Sequence, residues 1–438
     1  VKYFFSLLLY RLLFIILLPL LLFVLVIRSK NHPEYRQRLL ERLGFISGDI
    51  KTEGIIVHAA SVGEVIALKA FIEKLLSAYP NTPITVTTFT PTGSAQVHKL
   101  FADKVQHCYL PIDSWVCTHL FLSTLKPKAM VFMETELWPN LIAQCKRRDI
   151  KLLLVNGRLS VKSMKSYRKI KWLIQPTLTA FDQILTQSQL NQDNFMLLGG
   201  NQLTCDLSGN LKFDISVNPS VIDKQTELAQ YIKTPRNVWV MASTHQGDEQ
   251  IALDAFKQLH AEYPGLLLVI VPRHPERFND VARLAQKAGF TTNKRSEGTP
   301  VEATTQVWVL DTLGELMSMY ALADLVTMGG SFSNIGGHNP LEPALFKKPV
   351  IVGPNMSNFT EVMEQLLSAE GVMQLSQQEP LKEAEQLTHV MSILLKTPKQ
   401  QGVLGGNAYQ VVLQNQGASD RSLAHLVKLT SPEFETKN

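Results

Sequence analysis

The chain has 438 residues, 45% hydrophobic and 18% charged, which allows roughly two to three domains with sizeable cores and excludes a cysteine-stapled peptide, a disordered chain or a polytopic membrane protein. The formal net charge of +5 belongs mostly to one end: residues 1–50 carry seven Lys or Arg against three acids, a net +4, which leaves +1 for the other 388. Overall basicity is therefore no argument for a nucleic-acid partner.

The first element is apolar. Leu12 to Ile27 is a sixteen-residue run, and Tyr3 to Tyr10 extends it upstream with Arg11 as the only charge. As a helix, residues 3–27 would measure roughly 37 Å, enough for a bilayer core of about 30 Å. Arg11 is expected to snorkel, and Pro19 is tolerable in a membrane helix. Arg28, Lys30, Arg36, Arg38 and Arg42 follow the run, so the positive-inside rule puts the large body in the cytoplasm on a single-pass anchor. A cleaved signal peptide is the competing reading, but Leu25 to Lys30 offers no AxA-like site. A buried helix of the body is a third. Residues 28–50 read as a basic juxtamembrane segment suited to anionic lipid headgroups, although ordinary solvation of a linker explains those charges almost as well.

Next come short aliphatic runs separated by helical lengths. GIIVH (54–58), ITVTT (84–88), AMVFM (129–133) and KLLLV (151–155) read as buried strands, with helices over 63–79 and 137–148. The rhythm predicts a mostly parallel sheet in a domain over 51–213. Residues 214–236 read as a linker and an entering helix. VWVMAS (238–243), LLLVIVP (266–272), VWVL (307–310), DLVTMG (324–329) and PVIVG (349–353) then predict a second α/β domain over 237–425, with a crevice between the two. The final SPEFETKN has too little apolar content to demand order.

Ligands of open α/β sheets bind beyond the carboxyl ends of the strands, so the residues following each run matter most. After GIIVH stand Ser61, Gly63 and Glu64; Ser61 and Glu64 have the spacing of a capping box, while a functional Glu64 would face the crevice and accept a proton. AMVFM is followed by Glu134 and Glu136, and KLLLV by Asn156, Gly157 and Arg158. Ser208 to Lys212 forms a polar turn in which Lys212 could meet a phosphate, or simply be a surface lysine. In the second half, His245 follows VWVMAS and Arg273 follows LLLVIVP, placed to meet an anion. GGSFSNIGGHNPLEP (329–343) sets four glycines with Ser331, Asn334, His338, Asn339 and Glu342 between a strand and a helix. Glycines there permit close backbone approach, amides cradle oxyanions and Glu342 can accept from a sugar hydroxyl. The loop is neither a Walker motif nor GxGxxG.

Cys108, Cys117, Cys145 and Cys205 lack CxxC spacing, and His58, His245, His274 and His338 match no zinc motif, so no metal is expected. A GxSxG elbow around Ser61 is missing. No aromatic interleaving of a basic stripe points to nucleic acid.

ERLGF (41–45), HAASVGE (58–64), TVTTFTPTGS (85–94), METELWPN (133–140), SGNLKFD (208–214), VPRHPER (271–277) and the 329–343 loop together strongly resemble the 3-deoxy-D-manno-octulosonic acid (Kdo) transferases of Gram-negative lipopolysaccharide synthesis. NGRLS (156–160) differs from the NARLS form associated with many relatives, a small change. The resemblance implies a GT-B glycosyltransferase with two Rossmann-like domains facing across a cleft after one transmembrane helix, at the cytoplasmic face of the inner membrane. It implies inverting transfer of Kdo from CMP-Kdo to the lipid A precursor, lipid IVA, without cofactor or metal. It carries the catalytic base onto Glu64, and donor binding onto Lys212, His245, Arg273, Ser331, Asn334, Gly336, Gly337, Asn339 and Glu342. Ser61, Gly63, Glu134, Glu136 and Arg158 would line the cleft on the acceptor side. Another nucleotide-sugar transferase, a sugar-nucleotide epimerase and a membrane-tethered lipid-binding protein are the alternative readings.

Overall fold

The aliphatic runs become two all-parallel seven-stranded sheets, seen in a computed structural model that describes residues 2–31, 33–46, 48–200, 203–377 and 382–431. The polar tail from residue 432 onward lies outside the described residues. In the first sheet the strands are β1 (Ile55–His58), β2 (Ile84–Thr88), β3 (Gln106–Tyr109), β4 (Ala129–Met133), β5 (Lys151–Gly157), β6 (Gln183–Thr186) and β7 (Cys205–Leu207). Their order is β3-β2-β1-β4-β5-β6-β7. Alternation sends Ile55 and Val57 to one apolar cluster and Ile56 to the other, so helices cover both faces.

The second sheet contains β8 (Val238–Thr244), β9 (Leu267–Pro272), β10 (Thr292–Lys294), β11 (Val307–Val309), β12 (Leu325–Met328), β13 (Val350–Val352) and β14 (Met373–Gln374). Its order is β10-β11-β9-β8-β12-β13-β14. In both sheets the chain first builds one side of its first strand, with β11 inserted between β9 and the edge strand β10 in the second, and then crosses to the other side. That reversal leaves a topological switch point between β1 and β4, and another between β8 and β12.

The predicted boundaries shift in two places. The chain divides into one unit of residues 1–214 with 415–438 and a second of 215–414. The segment 214–236, expected as a linker, contains the helix Pro219–Ala229, which belongs to the second unit: the Ser318 hydroxyl donates to Val221 O at 2.9 Å. The last helix, Ala418–Thr430, expected in the second domain, packs on the first. The Asp214 carboxylate accepts from Gly417 N and Ser419 N at its start, Tyr79 and Thr430 share a buried hydroxyl bond of 2.7 Å, and Leu426 is fully buried in the first unit's core.

The N-terminal run is helical, and part of it docks on the first unit. It forms a helix, Lys2–Asn31, yet among the described residues no helix is long and apolar enough to cross a membrane. Leu7 packs with Ala143 and Leu173. Tyr10 donates to Asp113 at 2.9 Å, and Arg11, expected to snorkel, donates to the Asn140 side chain at 3.0 Å. Nor is 28–50 a solvated linker throughout. Arg42 is 1% exposed, donating to Phe89 O at 3.0 Å with its guanidinium 4.2 Å from the Tyr109 ring centre, and the Glu41 carboxylate accepts from Tyr109 N. The side chains of Arg28 and Lys30 lie outside those described.

Since Leu426 contributes a fully buried side chain from far along the chain, Leu426→Ala should destabilise the first unit by about 2–4 kcal/mol. Urea denaturation followed separately in the two units should show the loss in the first transition alone; an unchanged first midpoint would show that the last helix is dispensable.

Candidate functional site

At the first switch point the turn after β1 holds Glu64 in the opening turn of the helix Val62–Ala67. Ser61 is extended, as an N-cap must be, and its hydroxyl oxygen accepts from Glu64 N at 3.4 Å. The half-buried Glu64 carboxylate reaches back, accepting from Ala60 N and from the Ser61 hydroxyl, each at 2.8 Å. The cap is therefore formed, and it also fixes the carboxylate. Burial, then the charges of Glu134 and Glu136, push its pKa up to about 7 against the lowering effect of those two hydrogen bonds. Gly63 is exposed with open space at its Cβ position.

Glu134 and Glu136 arrive from β4, the neighbouring strand. Glu134 has φ 56°, a left-handed conformation unusual for a residue with a side chain, and its N–H donates to Val155 O at 3.0 Å. Glu136 accepts from Trp138 Nε1 at 2.9 Å and lies 3.5 Å from Nε2 of the fully buried His58. The Nδ1 of His58 is 3.0 Å from the Thr87 hydroxyl. Three carboxylates thus share one corner. Arg158 is held by its backbone, whose carbonyl accepts from the Thr135 hydroxyl of the same loop.

Lys212 belongs to the first unit, whereas the other residues assigned to donor binding belong to the second. Asn156, buried at φ 55°, accepts from Leu211 N at 2.9 Å, and its own carbonyl accepts from Gln187. Asn210 donates to Gln187 Oε1 and accepts from Lys212 N. This network fixes the short turn Leu211–Phe213 at the carboxyl end of β7, leaving Lys212 half-buried.

At the second switch point one buried carboxylate joins the loops after β8 and β12. Asp248 Oδ2 accepts from His245 N at 2.7 Å and from Gly330 N at 2.6 Å. Burial, helped by Glu249, raises its pKa to about 6 despite those donors. His245 Nε2 and His338 Nε2 are 2.8 Å apart with ring planes 6° from parallel, so one ring donates and the other accepts. Burial and then the positive charge of Arg273 lower the pKa of His338 to about 4; burial followed by His274, Arg277 and Arg273 lowers that of His245. Burial and the neighbouring cations thus favour the neutral form of both rings. Arg273 is exposed, with its backbone N–H on Thr244 O, and faces Glu342, whose pKa burial raises to about 7 while Arg273 and Asn339 oppose. Arg277, by contrast, is engaged by the buried Glu249 through two bonds of 2.6 and 3.0 Å.

The glycine-rich loop divides into framework and surface. The buried Ser331 hydroxyl donates to Met328 O and accepts from Gly353 N, so it braces β12 against the turn after β13 and is not presented to a ligand. Gly336 and Gly337 have φ 93° and 78°, and a Cβ on either would meet Ser357 or Met356 within 2.6 Å. Asn334 is exposed; Asn339 accepts from Leu341 N at 3.1 Å, turning the chain into the helix that carries Glu342. The fold therefore groups Ser61, Glu64, Glu134 and Glu136 in one unit, and His245, Arg273, His338 and Glu342 in the other. His58 and Asp248 are organising residues that the candidate assignments omitted. The Asp248 signal was present only as an acid at a helix start, which capping explains equally well.

Residues 37–215 match the family profile described as 3-deoxy-D-manno-octulosonic-acid transferase (kdotransferase). The chain is similar to the 3-deoxy-D-manno-octulosonic acid transferase of Haemophilus influenzae, 41% identical over 428 residues, covering 97% of this chain and 98% of the relative. A Rickettsia bellii protein of the same description is 30% identical over 425 residues, covering 96% and 99%. Among solved structures, a UDP-GlcNAc 2-epimerase from Neisseria meningitidis aligns with TM-score 0.58 at 16% identity, covering 86% of this chain and 100% of that one. A Rickettsia africae glycosyltransferase aligns with TM-score 0.54 at 12% identity, covering 87% and 98%. At those identities the structural likeness shows the fold alone: two Rossmann-like α/β units.

The charge environment of the histidine pair is measurable. His338 should titrate near pH 4 by NMR, and Arg273→Ala should raise that midpoint by removing a repelling cation. An unmoved midpoint would separate Arg273 from the pair.

Proposed function

The chain belongs to the family of 3-deoxy-D-manno-octulosonic acid transferases, and on that premise we propose an inverting transfer of Kdo from CMP-Kdo to a hydroxyl of the lipid A precursor, lipid IVA, with Glu64 as the base. The observation carrying this role is the carboxylate itself: it is held by Ser61 and Ala60 and its pKa is raised to about 7 by burial and two neighbouring acids. A base poised near working pH is ionised often enough to act and basic enough to take a proton as the acceptor oxygen attacks. The oxygen forms its bond to the anomeric carbon, the sugar–phosphate bond breaks with its electron pair going to CMP, and the acceptor proton ends on Glu64.

The second unit suits the departing nucleotide. Arg273 supplies an exposed cation, the neutral His245 and His338 supply a ring donor, and Glu342 is the carboxyl suited to ribose hydroxyls. Fixed positive groups lower the cost of charge developing on the leaving phosphate, so the proposed reaction uses no metal. Lys212 and Arg158 are assigned to anionic groups of donor or acceptor from the first unit. Gly336 and Gly337 keep their loop narrow, and Asn334 presents an amide at its surface. We assign the N-terminal helix, with Phe5, Leu9, Ile15 and Ile16 exposed along it, to the inner membrane as a single-pass element, with the body on the cytoplasmic side because the basic residues follow the apolar run.

Incubation of the purified chain with CMP-Kdo and lipid IVA should give products heavier by whole Kdo units in mass analysis. Glu64→Gln should lower their formation about 10²-fold or more while CMP still binds; undiminished turnover would remove Glu64 from the chemistry. Because the base acts ionised, the rate should rise with pH through about 7 and level off above it. Glu134→Gln removes a negative neighbour, lowers the proton affinity of Glu64, and should shift this acid limb downward by about half a unit to one unit. A limb shifted upward, or not at all, would contradict the carboxylate coupling.

A further inference from the structure

The basic segment after the first helix is partly folded inward, yet another cationic surface stands fully exposed elsewhere on the first unit. The helix Val161–Arg168 leaves the carboxyl end of β5 through Leu159 and Ser160, and the helix Lys171–Leu178 follows it. Between Ile150 and Phe181 there is no acidic residue. Lys162, Lys165, Arg168, Lys169 and Lys171 are all exposed, and none of them forms an ion pair among the described residues. The segment has two sides. Met164, Leu173 and Ile174 are buried beneath it, which fixes the cations and three apolar side chains, Val161, Ile170 and Trp172, on the outside.

That mixture decides the partner. Five unpaired cations alone would suit any polyanion, but an exposed Trp and two β-branched side chains among them gain nothing from a phosphate backbone or a soluble anion. At a bilayer surface the apolar groups enter the headgroup boundary while lysines meet lipid phosphates. Position agrees with this reading. Leu173, next to Trp172, packs with Leu7 of the N-terminal helix, so the cationic surface adjoins that helix where its own Phe5, Leu8 and Leu9 are exposed. The other end begins just past Arg158, whose carbonyl is tied to the Glu134–Glu136 loop.

We propose that residues 161–172 are a docking surface for anionic lipid, laying the first unit on the membrane so that the corner holding Glu64 lies at the headgroup layer. This rests on the reading that the acceptor is a membrane lipid, and it names a surface other than residues 28–50, to which the charge pattern of the sequence pointed. Each Lys or Arg near an anionic surface adds to the attraction, so the five together can set orientation even where the N-terminal helix already holds the chain on the membrane.

The test uses the full chain in vesicles of phosphatidylglycerol or of phosphatidylcholine, each with brominated acyl chains that quench nearby tryptophan. Trp172 emission, taken as the difference from Trp172→Phe, should be quenched in the anionic vesicles and much less in the neutral ones. The combined change of Lys162, Lys165, Arg168, Lys169 and Lys171 to Gln should abolish that difference and raise the apparent KM for acceptor in anionic vesicles about tenfold, with detergent-dispersed acceptor used at the wild-type rate. Absence of Trp172 quenching in vesicle-bound protein, equal quenching in both lipids, or tighter binding to duplex RNA than to anionic vesicles at equal phosphate would each overturn the proposal. No transfer by the wild-type chain to any acceptor, with the lipid-dependent quenching intact, would count against the transferase reading and leave the docking surface standing.

Discussion

Glu64, Glu134 and Glu136 repel one another, and the fold keeps them in one corner because β1 and β4 are adjacent parallel strands in matched register, with Val57 beside Val131 and His58 beside Phe132. Residues leaving those two strands must emerge side by side. The electrostatic cost of this crowding falls on Glu64, as proton affinity. Its two hydrogen bonds oppose that cost, so the carboxyl stays within reach of ionisation at neutral pH. Glu136 is steadied by the Trp138 indole and by a buried imidazole 3.5 Å away. Much of the unit's polar organisation, from the Ser61 cap to the His58 contact with Thr87, serves to keep that crowd in place.

Backbone geometry tells the same story at three strand ends. Glu134, Asn156 and Ser243 all have φ between 54° and 56°, where a side chain costs roughly 1–2 kcal/mol. Each lies at or just past the carboxyl end of a central strand, where ligands of such sheets bind. Asn156 is held by the bonds that anchor the turn carrying Lys212. Close to Ser243, Gly329 is required: a Cβ there would stand 2.6 Å from Ser243 O and 2.8 Å from Ala242 O. Among the described residues these are three of ten left-handed non-glycine positions, and the ladders of β5 and β8 shift register beside Asn156 and Ser243.

The two units handle charge in opposite ways. The first gathers acids at its switch point and displays unpaired cations along 161–172; the second gathers Arg273 and a pair of imidazoles kept neutral beside it. A neutral imidazole retains both a donor and an acceptor nitrogen, so it can orient a ligand without adding to the cationic repulsion. The one carboxylate that joins the loops there, Asp248, spends its charge on two backbone N–H groups rather than on Arg273.

Nine strands were legible because buried parallel strands are continuous aliphatic runs with helical spacers; ITVTT and AMVFM fall on β2 and β4 residue for residue. QHCY, QILT, CDL, TNK and MQ were not, being short and carrying polar residues; four of them are edge strands and QILT lies next to an edge, where less apolar surface is needed. Motif spacing put Ser61, Glu64, Glu134 and Glu136 after the right strands, but could not choose between a helix cap and a base for Glu64; the structure forms the cap and, with the same bonds, fixes the carboxylate beside Glu134 and Glu136. The return of the last helix to the first unit, the inward turn of Arg42 and the docking of Arg11 on Asn140 were invisible to periodicity. Linear order thus determined which segments are strands and which residues stand at their ends, since that depends on local hydrophobic pattern. Tertiary structure alone decided which ends become neighbours, and with that the proton affinity of Glu64, because burial and Coulomb repulsion depend on distances through space.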